Sequence, residues 1–122
     1  MKYLLIMQVD QDVLEALSED ERKLVMDGHG KFMKVTRESG EFILTQALAH
    51  PANSVVVTGT GGTPVVTDGP FAEAKEFMGG FYLVDCDSKE RAIELAKLIP
   101  DTRIKGLSVE VRPAMDSCGA DL

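Results

Sequence analysis

Cysteine is scarce in this chain, and where it occurs it is scattered. Cys86 falls in an apolar, strand-like run and Cys118 in a polar stretch, and neither belongs to a CxxC pair. This argues against a disulfide framework and against a cysteine metal or redox cluster. Cys86 is expected to be a buried structural thiol and Cys118 incidental. Histidine is equally sparse, at His29 and His50, and no GxSxG, HExxH or Ser-His-Asp spacing surrounds either. Positive charge is outnumbered, 13 Lys and Arg against 20 Asp and Glu, for a formal charge of −7. Such a balance disfavours nucleic acid as a partner, which demands many basic groups to displace counterions. It equally disfavours an anionic membrane surface. Long apolar runs are missing as well. The stretch from Met1 to Met7 is too short to cross a bilayer and has no small-residue cleavage site behind it, so a cytoplasmic location is expected.

What remains is an ordinary globular composition, 44% hydrophobic and 27% charged, over 122 residues. One domain of that length buries roughly two-thirds of its unfolded surface, enough for a single core. Lys2 to Met7 is predicted as a strand apolar on both faces, which suits a central position. Asp10 to Leu17 is a connector with a weak helical pattern. Ser18-Glu19-Asp20-Glu21 fits a capping box opening a helix that should run to Glu38 or Ser39 and stop at Gly40. Val25, His29, Phe32 and Thr36 recur on its inner face. Lys31, Lys34 and Arg37 form a basic stripe at helical spacing, read as a solvated face. Gly28 and Gly30 each weaken such a helix by about 1 kcal/mol relative to alanine, so close packing there needs a reason.

Phe42 to Leu48 alternates as a strand, with Phe42, Leu44 and Leu48 assigned to one face. Residues 54–58 and 64–67 flank Gly59-Thr60-Gly61-Gly62 as a hairpin. That glycine-rich loop lacks the following helix and the lysine a phosphate cradle requires. Gly79 to Cys86 is a second strand apolar on both faces. Its paired glycines Gly79-Gly80 permit close backbone approach to a helix or to a ligand. A second helix starts near Ser88 and ends at Pro100, and Ser108 to Arg112 returns as the last strand. The order β-α-β-hairpin-β-α-β describes an α+β, ferredoxin-like sandwich with an inserted β-hairpin. Two helices cover one face of its sheet, yet two strands are apolar on both. A homodimer with sheets stacked back to back would cover the remainder.

Few residues carry chemistry. An inward-facing His29 needs a hydrogen-bond partner. Asp68, held at the end of a strand by a stiff Gly-Pro turn, is the candidate. An Asp-His pair would fix the imidazole tautomer and raise its basicity, as a general base requires. The plainer alternative is a satisfied core histidine, with Asp68 capping its turn. Phe32, Gly69, Pro70, Phe71, Glu73 and Lys75 are the candidates for a surrounding pocket, although Pro70 and Phe71 also suit fixing and plugging the turn, and the charged residues suit solvated surface. Arg103 and Arg112 could capture an anion, but nothing places them near Asp68. His29, His50 and Asp68 have the composition of a two-His-one-carboxylate metal site, but His50 precedes Pro51 in a surface turn, so no metal and no cofactor is expected.

The run from Thr67-Asp68-Gly69-Pro70-Phe71 through Ala72-Glu73-Ala74-Lys75-Glu76, leading into Met78-Gly79-Gly80-Phe81-Tyr82-Leu83-Val84, resembles the signature of the YCII-related, or DGPF-domain, family. The likeness extends from Met1 to Pro113, leaving residues 114–122 as a loose tail. It implies a dimeric α/β barrel-like assembly and an enzyme using a His-Asp pair, with a dehydrochlorinase of chloroaromatic breakdown as the chemical model. His29 then matches the family's histidine position and Asp68 the aspartate of its signature. Members that resemble accessories of extracytoplasmic-function sigma factors imply a sensing role instead. Three functions stand open: a cofactor-free lyase- or isomerase-like enzyme on a small organic substrate, a non-catalytic small-molecule-binding or regulatory module, and a purely structural dimeric domain.

Overall fold

The computed structural model describes residues 1–69 and 75–119. The elements follow the predicted order: β1 Lys2–Asp10, α1 Gln11–Glu15, α2 Glu19–Glu38, β2 Phe42–Ala47, β3 Val55–Thr58, β4 Val65–Asp68, β5 Glu76–Asp85, α3 Lys89–Leu98 and β6 Ser108–Pro113. Single 3-10 turns at Pro51–Asn53 and Pro100–Arg103 complete the set. Four strands form an antiparallel sheet in the order β2-β5-β1-β6, a mixed α+β arrangement compatible with a ferredoxin-like fold. The sheet ends at β2 and β6, and the described residues close no barrel. No helix among them is long and apolar enough to cross a membrane.

Local chemistry sets the element boundaries. The Ser18 side chain accepts from the Glu21 amide while the Glu21 carboxylate takes the Ser18 amide, completing the capping box that starts α2. Gly40 follows its end with φ +79°, a left-handed conformation cheap only for glycine. Ser88 caps α3 through the Arg91 amide. Arg91 then reaches the carboxylate of Glu41 with Nε and Nη2, at 2.9 and 2.8 Å. This two-pronged bond ties α3 to the start of β2 and holds the Glu41 carboxyl below its usual range.

The main core lies between the helices and one sheet face. Tyr3, Leu5, Met7, Tyr82 and Val84 point up from the strands, and Phe32, Ala92, Leu95, Ala96 and Ile99 meet them. A fully buried side chain such as Leu95 contributes about 1.5–3 kcal/mol relative to exposure. Cys86 is buried in the same cluster, which pushes its thiol up from the ordinary value. Leu4 and Ile6 point from β1 to the opposite face, where Ile6 is buried but belongs to neither core cluster.

One sequence expectation needs correcting. Phe42 and Leu44 do not share a face, because pairing with β5 slips between them, setting Phe42 opposite Val84 and Leu44 opposite Leu83. The hairpin strands β3 and β4 pair with each other in a two-stranded sheet of their own.

The close packing demanded by the helix glycines is found at one of them. A Cβ on Gly28 would lie 2.6 Å from Pro100 Cβ, so α2 rests directly against the Pro100–Arg103 turn. A Cβ on Gly30 would meet nothing within 4 Å. Gly79 and Gly80 approach not a helix but neighbouring strands: added Cβ atoms would collide with Val9 at 2.5 Å and the Gln46 carbonyl at 2.7 Å. Urea denaturation should therefore separate the helix glycines. Gly28→Ala is expected to lose about 1–3 kcal/mol through overpacking, and Gly30→Ala to gain up to about 1 kcal/mol of helix propensity.

Candidate functional site

The contact between Gly28 and Pro100 brings together the residues beside each in sequence. His29 extends from α2 toward Asp101, and its Nε2 lies 2.9 Å from Asp101 Oδ1. Its Nδ1 lies 2.6 Å from the hydroxyl of Tyr82 on β5. Tyr82 stands on the helix-covered sheet face, stacked near His29 with ring centroids 5.8 Å apart and packed on Phe32 at 4.4 Å. Asp101 is 6% exposed and Tyr82 2%, whereas the His29 side chain keeps 24% of its surface open. A chain of three polar groups thus crosses from the turn, through the helix, to the sheet.

Bonding rules order the protons along it. An ionised carboxylate can only accept, so Nε2 carries hydrogen toward Asp101. In the neutral imidazole the other nitrogen is then bare, and Nδ1 accepts the Tyr82 O–H. Burial, then the negative charge of Asp101, pushes the Tyr82 hydroxyl up to about 12, so it remains a phenol through the neutral range.

The chain borders a cavity of about 520 Å3. Met7, Val9, Leu14, Met33, Leu48 and Phe77 supply apolar walls, and His29, Tyr82 and Asp101 converge with Gln11, Thr45, Gln46 and His50 as its polar members. Gln11 Nε2 donates to Glu15 at 2.8 Å, and its buried Oε1 has no partner among the described residues. The Nδ1 of His50 accepts from the Ala52 amide, which leaves hydrogen on Nε2 in the neutral ring, and the ring meets Phe77 edge-on at 5.6 Å. A second cavity, about 490 Å3, lies along α2 near the end of α3, among Lys23, Asp27, Lys31, Leu98 and Arg103.

Several expected site residues are placed differently. The carboxylate that meets His29 within the chain is that of Asp101, not Asp68. Asp68 ends β4 on the separate hairpin, is exposed, and does not border the cavity. Gly69, with φ +80°, donates to the Ser54 carbonyl at 2.7 Å, which ties the end of β4 to the residue before β3. Phe32 supports Tyr82 from behind and lines the second cavity. Gly69 and Lys75 border neither cavity, and Lys75 is exposed. Pro70, Phe71 and Glu73 lie outside the described residues. His50 does sit in an exposed turn, yet that turn forms part of the cavity wall with His29. Among the described residues no three His, Cys, Asp or Glu side chains converge as metal ligands. Arg112 lies next to Glu110, and Arg103 borders only the second cavity.

Asp101 and Tyr82 are the polar partners that sequence reasoning missed. Tyr82 was visible only as the one hydroxyl on the inward side of an apolar strand, and Asp101 as a carboxylate directly after a helix-ending Ile-Pro. Neither signal names His29.

The YCII-related domain matches residues 1–115. The chain belongs to the YCII-related family. A family relative from Rhizobium meliloti (strain 1021), known only as an uncharacterised protein, is 32% identical over 113 residues, 93% of this chain and 91% of its own length. Membership of the family names no reaction, so the chemistry of this YCII-related protein is argued from the site.

Stability at high pH tests the buried phenol. The folded-state value near 12 exceeds the usual one near 10, so the folded form binds the proton more tightly. Stability linked to Tyr82 is intact below pH 10 and is lost as pH climbs from 10 through about 12. Urea midpoints should fall more steeply over that window in the wild type than in Tyr82→Phe. Titration of tyrosinate absorbance should show one late component that disappears in the variant, a clean reading in a chain with two tyrosines and no tryptophan.

Proposed function

We propose that this YCII-related protein performs cofactor-free acid–base chemistry, lyase- or isomerase-like, on a small and largely apolar organic molecule held in the His29 cavity. The observation that carries this reading is the 2.9 Å contact between His29 Nε2 and a buried carboxylate at the edge of an apolar hollow. Asp101 orients the ring and stabilises its protonated form, the role the sequence had given to Asp68. A hollow of a few hundred Å3 with apolar walls and a few converging polar groups suits a small ligand. Mostly apolar walls also favour a second reading, a non-catalytic binding or regulatory module in which the imidazole is dispensable for ligand binding.

The working unit in this proposal is a homodimer. An isolated two-stranded sheet is marginal in water, yet Val55, Val57 and Val66 of the β3–β4 hairpin are 59%, 64% and 62% exposed. The pairing register sets Val55 opposite Asp68 and Val57 opposite Val66, so these valines and Asp68 share one face. A second copy covering that face would bring Asp68 into the interface.

Deuterium incorporation from D2O into a panel of small ketones and lactones discriminates the readings. Catalysis predicts exchange that falls by about 10^2–10^4 in both His29→Gln and Asp101→Asn, with folding retained by circular dichroism. Saturable binding of panel members, unchanged in His29→Gln and without exchange in the wild type, would establish the binding module instead. Sedimentation should give twice the 13.3 kDa chain mass, shifting toward monomer in the double variant Val57→Lys, Val66→Lys. A monomeric wild type at micromolar concentration would refute the dimer.

A further inference from the structure

We infer that the Tyr82 hydroxyl, rather than the His29 imidazole, is the group that exchanges a proton with the bound molecule, His29 and Asp101 serving behind it as a relay. The inference rests on the small-molecule reading of the cavity and deepens it. Both ring nitrogens of His29 are already engaged, Nε2 by Asp101 and Nδ1 by Tyr82. A base must offer a lone pair, and the bare Nδ1 lone pair is spent on the phenol. Tyr82 borders the cavity, and its oxygen, after donating its hydrogen to Nδ1, keeps acceptor capacity of its own.

The transfer balances as follows. The ligand's C–H or O–H bond breaks and its proton joins the Tyr82 oxygen. The original Tyr82 O–H proton passes to Nδ1, so the phenol is regenerated and His29 becomes an imidazolium facing the Asp101 carboxylate. The electron pair remains on the ligand as a carbanion, enolate or alkoxide, and reversal of the same path returns the proton. A phenol as weakly acidic as this one is a poor acid or base alone. Its 2.6 Å bond to the imidazole allows it to give up one proton while accepting another. Asp101 and His29 are positioning and relay residues in this scheme, and Tyr82 is the catalytic one.

Ring nitrogen-15 NMR at neutral pH tests the relay without a substrate, the His29 signals being assigned by their loss in His29→Gln. The expected spectrum shows a protonated Nε2 and an unprotonated Nδ1 that shifts when Tyr82→Phe removes its donor. A protonated Nδ1 in the wild type would reverse the hydrogen bond and overturn the inference, leaving the His29–Asp101 reading intact. Cyclohexanol, an apolar molecule with one hydroxyl, probes the contact with the ligand. Its NMR titration should give binding about 3- to 10-fold weaker in Tyr82→Phe, the loss of one hydrogen bond. Equal affinity in the two proteins would overturn the ligand contact alone. No saturable binding to the wild type would overturn it together with the small-molecule reading.

Discussion

A carboxylate taken out of water must be met by a donor, and in this protein the donor for Asp101 is His29. Leaving a buried acceptor without its donor costs about 1–3 kcal/mol, and more when the acceptor is charged. Here the requirement reaches further than one bond. Asp101 sits in the turn after α3, His29 on α2 and Tyr82 on β5, so satisfying the carboxylate fixes the helix, the turn and the sheet relative to one another. Gly28 makes the approach possible, since any side chain there would push α2 off Pro100. The same contacts leave the imidazole at the rim of a cavity with one edge open. Packing and chemistry are therefore not separable at this site: the glycine needed for a close helix contact also brings the histidine within reach of its partner.

Much of the fold was legible because local rules decided it. The capping box at Ser18, the stop at Gly40, the Ser88 cap and the Pro100 terminus each depend on neighbouring residues only, and each lies where the sequence placed it. Strand identity followed from the apolar pattern for the same reason. The slip between Phe42 and Leu44 was not legible, because it depends on how β2 pairs with a strand forty residues away. The site was half legible. That His29 turns inward followed from helical spacing with Val25 and Phe32. Its partners did not, since Asp101 and Tyr82 are 72 and 53 residues distant and only tertiary packing selects them.

Asp68 shows how a strong sequence signature can point away from the nearest chemistry. The sequence reading takes a stiff Gly-Pro turn to aim Asp68 toward His29. The hairpin that carries Asp68 forms a sheet of its own, so its direction is independent of the core that orients His29. A rigid support fixes where a group sits on its own element and says nothing of where that element points. The exposed Val55, Val57 and Val66 share the hairpin face that carries Asp68.

Low polarity around the relay bears on what it can do. In a cavity walled by Met7, Val9, Leu14 and Phe77, charges are less screened than in water, so each interaction along the Tyr82–His29–Asp101 chain is stronger than its exposed counterpart. The same surroundings penalise a free phenolate, which is why burial raises the Tyr82 value before the charge of Asp101 adds to it. An isolated tyrosine in this place would be inert at neutral pH. Coupled to an imidazole already facing a carboxylate, it need never carry the charge, because the proton it receives and the proton it releases can move together. The positive charge then resides on His29, beside the buried Asp101 carboxylate.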